Sequence, residues 1–134
     1  MNDLYIGLAT TAAIIIFLEL FKSVDKKLMS AFTLAVIPFI YIGFSWGDPK
    51  SLIMSVVGVA FFLGLAYLGY RNNVILIVIG LVLHGAWDLV FPFFSSEAPE
   101  GYDVFCITID LLLALYFYFR AGAPAVKKTS VTTR

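Results

Sequence analysis

The sequence predicts an all-α chain, an integral membrane bundle of five transmembrane helices with the N-terminus outside and the C-terminus in the cytoplasm. Three observations predict it. Hydrophobic residues make up 61% of the 134 and charged residues only 13%. Soluble domains run near 45–50% and about 25%, and a chain this short has too little interior to hide so much apolar surface from water. Five runs approach the roughly 20 apolar residues that a helix needs to cross a bilayer. The basic residues gather in the connections of one side.

The first run, Leu4 to Phe21, follows Met1-Asn2-Asp3. That start lacks the basic region of a cleaved signal peptide, so the run reads as a retained span. The second, Met29 to Trp46, carries Pro38 midway. A proline there should kink the helix and free a carbonyl near Leu34. The third runs from Ser51 to Tyr70, the fourth from Val74 to Phe94 and the fifth from Val104 to Arg120. The connections, Lys22 to Leu28, Gly47 to Lys50, Arg71 to Asn73 and Ser95 to Asp103, are short. Sequential helices are therefore expected as antiparallel neighbours. The organisation expected is one five-helix domain over residues 1–120 and a polar cytoplasmic tail over 121–134 that stays disordered.

Orientation follows from lysine and arginine. With the N-terminus outside, the cytoplasmic side holds Lys22, Lys26, Lys27, Arg71, Arg120, Lys127, Lys128 and Arg134, and the outer side only Lys50. The outer loop before the last helix is acidic, with Glu97, Glu100 and Asp103. Trp46, Tyr70, Tyr102, Tyr116 and Tyr118 lie near helix ends, where amphipathic rings favour the headgroup zone. Small residues recur at spacing four in Gly7/Thr11, Ala9/Ala13, Ser51/Ser55 and Ala60/Gly64. Such pairs let helices approach closely in lipid, although small residues are also simply common in spans. The expected setting is a multi-pass protein of the cell membrane, with the lipid bilayer as partner and a homo-oligomer as an option.

Ionisable residues inside a span are costly and mark candidate sites. Four stand out: Glu19, His84, Asp88 and Asp110. The fourth helix runs outward and places Asp88 roughly 9 Å below its outer end, from six residues of helical rise. The fifth runs inward and brings Asp110 to the same depth. His84 lies one turn from Asp88, and Cys106 one turn from Asp110. Adjacent antiparallel helices can thus gather His84, Asp88, Cys106 and Asp110, with Trp87 beside them and Tyr41 along the wall. Two carboxylates at one depth in a low dielectric must share a proton, hold a cation or pair with a protonated histidine. His84, Asp88 and Asp110 are also the candidate metal ligands. The plain alternative is a hydrogen-bonded knot that fixes two helices together. Glu19, near the cytoplasmic end, reads as an interfacial ion-pair partner of Lys22 or Arg71. A proton-carrying carboxylate like that of small multidrug transporters would sit deeper.

Other chemistries find little here. A single cysteine excludes an intramolecular disulfide and an all-cysteine zinc site. Zero formal net charge, with no basic patch or phosphate-binding glycine loop, speaks against nucleic acid. The sequence leaves any cofactor unknown.

The stretch Gly80 to Asp88, followed by Cys106, Asp110 and Leu112-Leu113-Ala114-Leu115, resembles a group of small bacterial membrane proteins classed only as a domain of unknown function. The shared pattern is His-x-x-Trp-Asp, then Cys-x-x-x-Asp in the last helix, and covers mainly the last 55 or so residues. Many members of that group add a His-His pair soon after Trp-Asp. Phe91 and Pro92 stand there in this chain, which counts against a metal centre. The resemblance implies a location for the site and no activity.

Three functions remain open. The first is a binding or transport module with a proton- or cation-linked polar site near the outer leaflet. It predicts a polar cavity with Tyr41 or Trp87 in its wall. The second is a membrane-embedded enzyme acting on a lipid or isoprenoid. It predicts a polar group facing His84 from the first three helices, where only Thr10, Thr11, Thr33, Tyr41 and Ser55 are on offer. A ceramidase-like version wants three metal-binding histidines, and this chain has one. The third is a structural or accessory subunit, which predicts no cavity.

Overall fold

The structure, a computed structural model, describes residues 2–95 and 98–122. The described residues are helical throughout, without strands: α1 (Asn2–Leu20), α2 (Lys26–Val36), α3 (Phe39–Phe44), α4 (Pro49–Arg71), α5 (Ile75–Val90), a 3-10 turn (Phe91–Phe93) and α6 (Tyr102–Ala121). Taken as runs, Asn2–Leu20, Lys26–Phe44, Pro49–Arg71, Ile75–Phe93 and Tyr102–Ala121 are each long and apolar enough to cross a membrane. The expected all-α bundle with five such helices is therefore met. The expected tail lies almost wholly outside the described residues.

Capping accounts for most boundary differences. The second run begins three residues earlier than predicted because Asp25 accepts from the Lys27 and Leu28 amides, at 2.8 and 3.3 Å. Asp48 does the same for α4 through Lys50 and Ser51, with Pro49 in the first turn, where its missing N–H costs nothing. At Pro38, the site of the predicted kink, the helix is interrupted between α2 and α3 while Ile37 and Pro38 keep right-handed helical dihedrals. The bonds there tighten to spacing three, from Ile40 N–H to the Ile37 carbonyl and from Tyr41 N–H to the Pro38 carbonyl, both 3.2 Å. Pro92 likewise ends α5 short of Phe94 in a 3-10 turn. Gly101 starts α6 at φ +81, where a Cβ would also strike the Asp3 carboxylate.

That contact shows the topology. α1 and α6 start at the same end and run parallel. α1 packs along α6 rather than along its sequence neighbour α2, which corrects the expected order of neighbours; α6 packs also on α5, α5 on α4, and α4 on α2. The α1/α6 contact is close because Gly7 faces the Phe105 carbonyl and Thr108, and buried Thr11 returns its hydroxyl to the Gly7 carbonyl at 2.8 Å. Of the expected small pairs, Gly7/Thr11 and Ser51/Ser55 are buried, whereas Ala9/Ala13 and Ala60/Gly64 face outward. The apolar core includes Leu34, Phe62, Ile77, Leu81, Leu113 and Phe117. Leu34 of α2 lies directly against Gly80 of α5, where a Cβ would collide with it. This approach helps set α5 and its His84 face in the middle of the bundle.

Candidate functional site

His84 and Asp88 are one turn apart on α5, and Asp110 faces them from α6. Gly85 lies between them on the face toward α6, where a Cβ would make ordinary contact with the Asp110 Cβ at 3.7 Å. His84 Nδ1 is 2.7 Å from Asp110 Oδ2 and 3.6 Å from Asp88 Oδ1. Tyr41 of α3 donates its hydroxyl to the same Asp88 oxygen. The polar chain thus runs from Asp110 through His84 and Asp88 to Tyr41. It is wholly internal, with His84 and Asp88 0% exposed and Asp110 1%. Phe62 closes edge-on over the His84 ring at 4.8 Å, and Phe91 lies 4.3 Å from the Tyr41 ring.

Among the described residues three buried side-chain atoms have no hydrogen-bond partner: His84 Nε2, Asp88 Oδ2 and Asp110 Oδ1. Buried polar atoms are ordinarily paired, and an orphan costs free energy. The three residues can each offer one metal-ligand atom within 4.8 Å of the others. Imidazole with two carboxylates suits a shared proton or a divalent cation.

A cavity of about 240 Å³ adjoins the chain at the Gly101 end. Its wall includes buried Tyr41, Asp88 and Phe91, half-buried Tyr102 and Asp103, and exposed Glu100. Glu97, expected in the same acidic loop, lies outside the described residues. Cys106 is buried one turn from Asp110 and carries no disulfide. Trp87 does not join the cluster. It packs on Gly58 and beside Phe62, and lines an apolar cavity between α4 and α5.

Glu19 belongs to a different group. Its carboxylate accepts from Tyr116 Oη at 2.6 Å and from Arg120 Nε at 2.9 Å, with a second Arg120 contact at its other oxygen. The ion pair expected with Lys22 or Arg71 is therefore made with Arg120, because α1 and α6 run parallel and finish together. Arg71 bonds to Tyr67 instead, at 3.1 Å. The signal available in the sequence was Tyr116 and Arg120, four apart on one helix face at the level of Glu19. A further buried bond, Ser45 to Ser55 at 2.7 Å, ties the end of α3 to α4 and had no such signal.

The fold and site define a five-helix, membrane-length bundle with a buried histidine–carboxylate centre. Residues 2–124 match the model of a family of unknown function (DUF6010). The chain belongs to that family, in agreement with the resemblance to uncharacterised proteins. Comparison with curated proteins and with solved structures returns no match.

Proposed function

We propose that this protein is a multi-pass cell-membrane protein, N-terminus outside and C-terminus in the cytoplasm, that binds and passes a small cationic solute in exchange for protons held at the His84–Asp88–Asp110 centre. The observation that carries this reading is that Tyr41 and Asp88 belong both to the buried polar chain and to the wall of the cavity. Acidic Glu100 and Asp103 in that wall attract cations. Tyr41 and Asp88 meet where the cavity adjoins the centre, so a cation arriving there acts on the Asp88 carboxylate and on the Tyr41 hydroxyl bonded to it. His84 and Asp110 behind it share the proton.

A purely structural knot would be sealed and also satisfied. This one meets the cavity wall at Asp88 and leaves three buried polar atoms without hydrogen-bond partners among the described residues, which favours a centre that takes up a proton or an ion. Tyr41 also supplies the polar group facing the α5 centre that the enzyme reading requires. That keeps a lipid-directed acid–base enzyme as the second reading.

The chain's one histidine makes the test clean. Ring-nitrogen NMR of the nanodisc-embedded protein should show His84 changing protonation or tautomer with pH and on adding Zn2+ or tetramethylammonium, and Asp88→Asn should alter both responses. Proteoliposomes carrying an internal pH dye should respond to an external gradient of the effective cation. A His84 signal indifferent to pH, to both cations and to Asp88→Asn would leave the cluster as packing alone. An NMR response without any dye response would reduce the reading to binding.

A further inference from the structure

A second polar pocket lies at the opposite end of the molecule. We infer that it is a site for an anionic phospholipid, with the phosphate headgroup among Lys22, Lys26 and Arg120 and an acyl chain in the groove between α1 and α6. The pocket measures about 340 Å³ and is lined by Glu19, Lys22, Lys26 and Arg120. Its three cations face one carboxylate. Glu19 is matched by Arg120. Lys26 is held by backbone carbonyls, those of Leu18 and Phe21, and by no carboxylate. Lys22 makes no hydrogen bond or ion pair among the described residues and is exposed. Two positive charges are therefore left for a phosphate, whose oxygens accept charge-assisted hydrogen bonds from ammonium and guanidinium groups. Basic pockets beside spans on the lysine-rich side recognise phosphate headgroups.

The lipid, rather than a free anion, is indicated by what adjoins the pocket. An apolar groove of about 490 Å³ shares Arg120 with it and is lined by Leu8, Ala12, Ile15, Leu112, Leu115 and Phe119 among others. The groove follows α6 from Leu112 at mid-helix to Arg120, about 12 Å of helical rise. That is most of one leaflet of a hydrocarbon core roughly 30 Å thick. A headgroup in the basic pocket would have its chain leave directly into this groove. The inference uses the membrane setting and is independent of the His84 centre.

The full-length protein, purified in detergent, is incubated with equal phosphatidylglycerol and phosphatidylcholine in mixed micelles, repurified and read by native mass spectrometry. Wild type should retain phosphatidylglycerol in preference to phosphatidylcholine. Lys22→Gln should lower that retention about fivefold, and Lys22→Gln with Lys26→Gln further. Lys50→Gln, at the other end, should leave it unchanged. Ala12→Trp, which fills the groove and spares the cations, should also lower it. Equal retention of the two lipids by wild type, or undiminished retention in Lys22→Gln, overturns the proposal even if the double variant fails to fold. Displacement of the lipid by inorganic phosphate at matched concentration overturns it in favour of an anion site alone. A wild-type protein that stays monodisperse without detergent overturns the membrane setting itself, and so is distinguishable from failure of this site.

Discussion

The two polar groups of this molecule use the same side-chain types in opposite ways. At the Arg120 end, Glu19 has a guanidinium and a phenol on its oxygens, and the Arg120 and Glu19 side chains are 54% and 35% exposed. In the middle of the bundle, two carboxylates and an imidazole are essentially unexposed and retain three atoms without partners. An exposed pair is screened by water and contributes little. A buried set is costly when any member is removed or left over. The contrast separates an exposed, paired ion cluster from a buried set in which each member is costly to lose.

The largest test of the contrast is Asp110→Ala. It leaves His84 Nδ1 without its near partner, so chemical or thermal unfolding in detergent should show a loss of roughly 3–5 kcal/mol. Tyr41→Phe keeps the ring among its aromatic neighbours and removes only the hydroxyl from Asp88. It should cost about 1–3 kcal/mol by the same assay and alter the His84 ring signal, which a change confined to packing would not do. Asp48→Ala probes a carboxylate outside the spans. The Ser51 side chain and amide hold the Asp48 carboxyl below the usual aspartate range. A lowered folded value means that the cap stabilises α4 fully above the ordinary aspartate value of about 3.9 and loses that effect as pH falls through the folded value. The melting difference between wild type and Asp48→Ala should accordingly be present at neutral pH and vanish in strong acid. Glu19→Gln should have the smallest effect on stability, a minor fraction of the Asp110→Ala loss, and added salt should shrink it further. If Glu19→Gln proved as damaging as Asp110→Ala, the distinction between the two groups would fail.

The helix count and spacing of the buried acids were open to a reader of the sequence because both obey simple periodicities. Apolar runs of bilayer length are visible as runs. His84 and Asp88, four apart, must share a face, and counting inward from two adjacent helix ends puts Asp110 at their depth. Tyr41 was legible only as a residue along the wall. Its bond to Asp88 joins residues 47 apart in the chain, a contact between separate helices that no local period predicts. Trp87 was misleading for a related reason: one residue from Asp88 on a helix means about 100° of rotation, so the indole points to α4 and away from the centre.

The amino-acid sequence alone determined an all-helical chain with five membrane-length helices and a polar pair of levels on the last two, since hydropathy and helical period are local properties. Only the tertiary structure decided which helices touch. It set α1 beside α6, gave Glu19 to Arg120 rather than to Lys22 or Arg71, and brought Tyr41 to Asp88. Those choices depend on interlocking shapes, Gly7 against Thr108 and Gly80 against Leu34, and complementarity between distant segments leaves no periodic trace along the chain.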